Sequence, residues 1–256
     1  MKSELVHATA VVSRSAEIHP SVAIGPYAVV EGEVSIGAGC VIGPHAVVRR
    51  YTRMGRNNIV DAHAVIGGNP QYTGFGDVES WSSLGDDNVM REGFTINRSI
   101  EPGGVTSVGS GCFFMANSHI GHDCRVGNHV TFANAVLLGG HVEVGDGVVF
   151  GGAAGAHQFV RVGAYSMIAG FVPLRKDVMP FMLVGGTPIR HFRLNTVGLR
   201  RWGIIGDRYR ALETAFRALR NGNRTLDGVP DTDEVRFLSE WLAGKSRHGC
   251  YGCIGS

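Results

Sequence analysis

No apolar run in the 256-residue chain approaches the ~20 residues that a transmembrane helix needs, and residues 1–20 lack the pattern of a secretory signal. Neither charge sign dominates: 24 Lys and Arg against 22 Asp and Glu leave +2. That is no nucleic-acid footprint, although the basic excess gathers after Ile189 and suits a local anion site. Cysteines are few and odd in number, with Cys40, Cys112 and Cys124 in the body and Cys250 and Cys253 near the end. Such a set is no disulfide scaffold and fits a reducing, cytoplasmic compartment. The Cys250-Tyr-Gly-Cys253 spacing, alone in a glycine-rich tail, reads as tail rather than as a redox or metal pair. With 44% hydrophobic and 18% charged residues the chain is globular, long enough for one large domain or two modest ones.

What the chain has in excess is glycine, 38 residues against an average near ~7%. The excess accompanies a repeat. Every sixth residue from Val6 to Ile66, and again from Leu84 through Met90, Ile96, Val108, Phe114, Ile120 and onward to Leu174, is apolar. Among the multiples of six in that span only Tyr72, Pro102 and Ala156 are not Val, Ile, Leu, Met or Phe. Glycine often follows this position, as at Gly25, Gly37, Gly121, Gly127 and Gly139, and small residues such as Ala28, Cys40 and Ala46 stand two before it. Neither a helix nor an alternating strand has a six-residue beat. The beat is that of hexapeptide repeats, which build a mainly β parallel β-helix of triangular 18-residue coils; the hexapeptide proteins it resembles coil left-handedly, making a left-handed parallel β-helix the expected fold. The sixth residues fill the prism, where slim apolar side chains pack best.

The spacing predicts a β-helix over about 1–186, a C-terminal helical domain over 187–249 and a tail over 250–256. Gly67 to Ser83 and Arg98 to Ser107 break the texture and are expected to be corner loops, which in a compact repeat are usually functional. Helical texture from Ile189 predicts helices over Asn195 to Trp202, Asp207 to Leu219 and Asp231 or Thr232 to Leu242, with Leu212, Ala215, Phe216 and Leu219 as a core-facing stripe.

A coil of 18 turns sequence separation into proximity. His122 lies 19 residues before His141 and 35 before His157, so the three are expected along one edge, with His119 beside them. The inward positions Ile120 and Val126 leave His122 and Asp123 near a corner. Two chemistries suit such an edge. A neutral imidazole can take a proton from a hydroxyl while Asp123 fixes its tautomer. Alternatively, imidazoles from facing subunits can bind zinc, as in the gamma-class carbonic anhydrases that share this repeat. A plain structural ladder is a third possibility, of the kind expected for His45 and His63 above Tyr27.

The segments Ser118-His-Ile-Gly-His-Asp-Cys-Arg-Val-Gly-Asn128, Leu138-Gly-Gly-His-Val142, Ala156-His-Gln-Phe159 and Asn195-Thr-Val-Gly-Leu-Arg-Arg201 resemble the acyl-[acyl-carrier-protein]–UDP-N-acetylglucosamine O-acyltransferase family of lipid A synthesis over nearly the whole chain. The resemblance implies that His122 is the general base, Asp123 its orienting partner and the Gly140 N–H the oxyanion donor. It implies substrate contacts from His119, His141, His157, Gln158, Asn195, Arg201 and, in the Gly67-Gly-Asn-Pro-Gln71 loop, Gln71. Gly170 and Met167 match positions that set acyl length. It further implies a homotrimer, acyl carrier protein and a UDP-sugar as partners, and neither metal nor cofactor. The chain departs from the family pattern on the sugar side: Pro70-Gln71 runs directly into Tyr72 without the family's Asp and Lys, Val197 replaces a Glu, and Asn97 stands for a common His. The alternatives are another nucleotide-sugar acceptor, an acyl-CoA donor, a zinc hydratase and an idle scaffold.

Overall fold

The computed structural model describes residues 5–255, so the expected start of the β-helix at Met1 lies outside them. Most coils contribute three two-residue strands, the first residue facing out and the second buried, as in Val29–Val30, Val41–Ile42 and Arg125–Val126. Strands one coil apart pair in parallel, Val11 with Val29 and Val12 with Val30. The result is a prism of nine, eight and ten strands per face. We call the face that begins at Val11–Val12 the first, that of Glu17–Ile18 the second and that of Ala23–Ile24 the third. The interior is not restricted to slim side chains. Phe94, Phe114, Phe132 and Phe150 run up it with ring centroids 4.9–5.1 Å apart, because the spacing between coils, ~4.8 Å, is also a comfortable distance between aromatic rings.

The two interruptions are shorter than expected, since Val65–Gly68, Trp81–Leu84 and Val105–Val108 are paired strands. Ser82 pairs with Thr52 thirty residues earlier and Thr106 with Ser82 twenty-four earlier, in place of the usual eighteen. The insertions are therefore twelve and six residues, whole hexads, and the sixth-residue register passes through both unshifted. Arg98, wholly buried, stitches the loops together. Its guanidinium donates to Asn69 Oδ1 at 3.1 Å, Asp77 Oδ1 at 2.5 Å and the Val78 carbonyl, beneath the Phe75 ring.

Beyond Gly186 the helical texture is delayed by one more strand. Arg190–Leu194 pairs antiparallel with Met182–Gly185 at the end of the third face, because the turn between them reverses the chain in place of adding a coil. Helices α1 (Thr196–Arg201), α2 (Gly206–Arg220) and α3 (Asp233–Ala243) follow near the expected positions, with Asn195 and Thr232 accepting from the backbone N–H of Gly198 and Val235 as N-caps. Ala211, Leu212, Ala215 and Leu219 bury the stripe of α2, together with Val235 and Leu238 of α3, whereas Phe216 is only partly buried. The final residues dock on the solenoid: Cys250 bridges to Asp177 and Cys253 to His191, and the Tyr251 hydroxyl accepts from the Arg175 N–H at 2.7 Å. Burial pushes the Cys250 thiol up to about 12.

His191 pins this docking. Fully buried, it accepts from the Met179 N–H at Nε2, 2.9 Å, and donates from Nδ1 toward the Gly252 carbonyl at 3.4 Å. Burial pushes its pKa down to about 4. The unfolded chain, with imidazole near ~6.5, binds the proton first, so His191 stabilises fully above ~6.5 and loses that contribution as pH falls toward its folded value. Urea midpoints at fixed protein concentration should therefore fall over this window by about 3 kcal/mol of stability that a His191→Gln variant does not lose. Parallel profiles for the two proteins would refute this.

Candidate active site

The chain turns from the first face to the second between His119–Ile120 and Arg125–Val126. Asp123 takes the left-handed conformation there, φ 61°, as do His141 and Phe159 at the same corner of the next two coils. The columns are thus Asp123, His141 and Phe159, and beside it His122, Gly140 and Gln158. His141 stacks above Asp123, one column over from His122, because 19 residues exceed a coil by one. His157 stands one column to the other side, above Gly139. All three histidines are at one edge, on three adjacent columns.

Asp123 is held from every side. Ser99 Oγ–H donates to Oδ1, the Ile100 N–H to Oδ2 at 3.2 Å and His122 Nδ1–H to Oδ2 at 2.8 Å, while the Asp123 N–H donates to Thr106 Oγ1 at 2.7 Å. Burial opposes its charge, but the hydrogen bonds from Ser99, His122 and Ile100 outweigh burial and keep the carboxyl below the usual carboxylate range. A carboxylate can only accept, so Nδ1 carries the proton and Nε2 is left with a lone pair. That nitrogen lies over Gly140, so close that a Cβ on Gly140 would stand 2.6 Å from it. Among the described residues the Gly140 N–H has no hydrogen-bond acceptor. Burial lowers the pKa of His119, with His122 adding to the effect, and burial is also the main cause of the lowering at His141. His119 Nδ1 sits 2.8 Å from Thr95 Oγ1.

His122, Gly140, His119, His157, Gln158 and Gln71 line one cavity of about 490 Å³ on the first face, floored by Leu137 and Gly155. Asn97 also lines it. His141 is on the far side of the corner, its ring 4.5 Å from that of Phe159 and its Nε2 3.9 Å from Asp123. The remaining expected residues are elsewhere in the protomer. Asn195 caps α1 and donates to the Tyr165 carbonyl at 2.9 Å, and Arg201 is exposed at the end of that helix. Met167 faces outward on the third face, and Gly170 lies at the turn that follows it.

Sequence reasoning missed Ser99, Ile100 and Thr106 as supports of Asp123. Ser99 is 24 residues away, one coil plus the six-residue insertion, and only a count corrected for that insertion finds it. The missed Phe159 was within reach of the plain count, 18 beyond His141. His122, Asp123 and His141 are also a set whose ligand atoms lie within 4.8 Å of one another, which could hold a metal. The Asp123 oxygens there already accept three donors, an arrangement that suits orienting an imidazole.

Comparison with known proteins bears on the same features. Residues 177–250 match the family model described as UDP N-acetylglucosamine O-acyltransferase, domain 2, and residues 15–50 and 106–140 match the bacterial transferase hexapeptide model. The chain is 46% identical over 232 residues to the acyl-[acyl-carrier-protein]–UDP-N-acetylglucosamine O-acyltransferase of Alkalilimnicola ehrlichii, covering 90% of this chain and 89% of that one. It is 42% identical over 255 residues to the Xylella fastidiosa protein of the same name, covering 96% and 97%. The crystal structure of UDP-N-acetylglucosamine O-acyltransferase from Moraxella catarrhalis superposes with a TM-score of 0.90 at 33% identity, covering 96% of this chain and 99% of that one. The coils are left-handed, as the resemblance to hexapeptide proteins implies.

Proposed function

The chain belongs to the acyl-[acyl-carrier-protein]–UDP-N-acetylglucosamine O-acyltransferase family, and from that membership we propose that it moves a 3-hydroxyacyl chain from acyl carrier protein to the 3-hydroxyl of UDP-N-acetylglucosamine, early in lipid A synthesis. The observation that carries this reading is the His122–Asp123 pair beside an unpaired Gly140 N–H. His122 Nε2 takes the proton of the sugar hydroxyl as its oxygen attacks the thioester carbonyl. The oxyanion of the tetrahedral intermediate accepts from the Gly140 N–H. When the C–S bond breaks, the proton passes from Nε2 to the departing thiolate. Asp123 holds the tautomer and balances the transient imidazolium. His119, His157, Gln158 and Gln71 bind substrate along the cavity, and His141 backs Asp123.

The faces support a homotrimer. Outward residues of the first face include Val11, Val29, Val47, Val65 and Leu137, and those of the third Val41, Ile59, Val89, Phe113 and Val149. The second face presents Glu17, Ser35, Arg53, Arg125, Glu143 and Arg161. Along the edge between the two apolar faces Phe171 is 84% exposed, and Tyr27, His45 and His63 stack at 5.1 Å. Three copies with that edge inward oppose the first face of one to the third face of the next and leave a cleft between them. Asn195 and Arg201, near Tyr165 at the corner of the second and third faces, then reach the cleft from the neighbouring subunit, where Arg201 suits the diphosphate. Met167 and Gly170 of that subunit close the acyl groove. A carrier-protein donor and free cysteines support the cytoplasm as the place of work.

The test is incubation with UDP-N-acetylglucosamine and 3-hydroxyacyl carrier proteins of several lengths. A 3-O-acyl sugar nucleotide is expected, at a rate within twofold before and after exhaustive chelation. Absence of product with every donor would sink the reading, and a tenfold loss restored by zinc would favour metal chemistry at His122, Asp123 and His141.

A further inference from the structure

The column Asp123, His141 and Phe159 does not end in solvent. The Arg247 guanidinium lies over the Phe159 ring, 3.9 Å from its centroid, and Phe159 lies parallel to His141. His248 Nε2–H donates to the Gln158 carbonyl at 2.8 Å, and Arg161 donates to the Lys245 carbonyl at 2.9 Å. Residues 245–248 are thereby strapped across the catalytic corner. Lys245, Ser246 and Arg247, with His141, Glu143 and Arg161, enclose a second cavity of about 310 Å³ on the side of the second face. Among the described residues no carboxylate pairs with Arg247 or Lys245. Glu143, the acid in this cavity, lies 3.8 Å from Arg161 instead.

Two cations with no carboxylate partner among the described residues, one of them flattened on an aromatic ring, make a site for an anion. Its position says which. In the trimer proposed above the first and third faces are covered, so this corner is approached from the side of the second face, where α3 and the strap lie. A thioester carried by a folded protein is too bulky for the cleft and must send its flexible arm over this corner to reach Gly140. We propose that Arg247, with Lys245, binds the phosphate at the far end of the pantetheine arm of the acyl donor, a site that rests on the acyl-transfer reading above. A phosphate stands at that end of the arm on both donors, as a phosphodiester on a carrier protein and as part of a diphosphate on coenzyme A.

The experiment compares acyl-phosphopantetheine with acyl-pantetheine as donors for the wild type and Arg247→Gln. The wild type should favour the phosphorylated donor at least tenfold in kcat/KM. Arg247→Gln should lose that preference, falling about tenfold with the phosphorylated donor and less than twofold with the other, and Arg247→Lys should recover part of it. The KM for acyl-CoA and for acyl carrier protein should rise together. Equal losses with both small donors, a rise in the KM of the nucleotide sugar instead, or a rise for the carrier protein alone would overturn the phosphate site. Failure of all donors with the wild type would reject acyl transfer itself, and this site with it.

Discussion

His122→Ala is expected to lower kcat by about 10²–10⁴-fold, the range for a positioned general base, while the mass of the assembly and its thermal midpoint stay those of the wild type. The reasoning is local. His122 is only 13% exposed in its side chain, but among the described residues its ring hydrogen-bonds to Asp123 alone, and the residue lines the cavity. Removing the ring takes away the proton acceptor and leaves Asp123 its bonds to Ser99 and Ile100. Single-turnover rates with saturating nucleotide sugar measure the effect directly. Undiminished turnover would take His122 out of the mechanism.

Gly140→Ala should cost nearly as much without touching a reacting group. The three nearest atoms to an added Cβ all belong to the His122 ring, Nδ1 being 3.0 Å away, and none to the backbone. The ring is the one thing free to move, and moving it strains its bond to Asp123 and carries Nε2 away from Gly140. An activity loss of about 10²–10³-fold is expected, within the range for a misplaced general base, with a thermal midpoint changed by little. A variant that folds normally and turns over normally would show that His122 does not need its observed orientation.

Legibility in the sequence followed distance along the chain. The prism was readable because both insertions are whole hexads, so Leu84 and Val108 keep the count that Ile66 began. Insertions of any other length would have hidden the later coils. His122, His141 and His157 were readable as one edge because a coil is a fixed length, whereas the part of Gly140 came from the family resemblance alone. The limits are equally physical. The expectation of slim interior residues failed at Phe114, Phe132 and Phe150, where coil spacing lets rings stack. Ser99 was hidden by the six-residue insertion. The strap from Lys245 to His248 has no periodicity, and its position depends on His191, Asp177 and Tyr251, contacts over long stretches of chain that no local pattern encodes.

The reversal at Arg190–Leu194 bears on solubility as well as on shape. A parallel β-helix ends in open strand edges whose unpaired N–H and C=O groups fit the start of another copy, which invites end-to-end polymerisation into filaments. By running the last strand backwards and continuing into three helices, the chain presents at that end an edge with the wrong polarity for a further coil, and growth stops at one molecule's length.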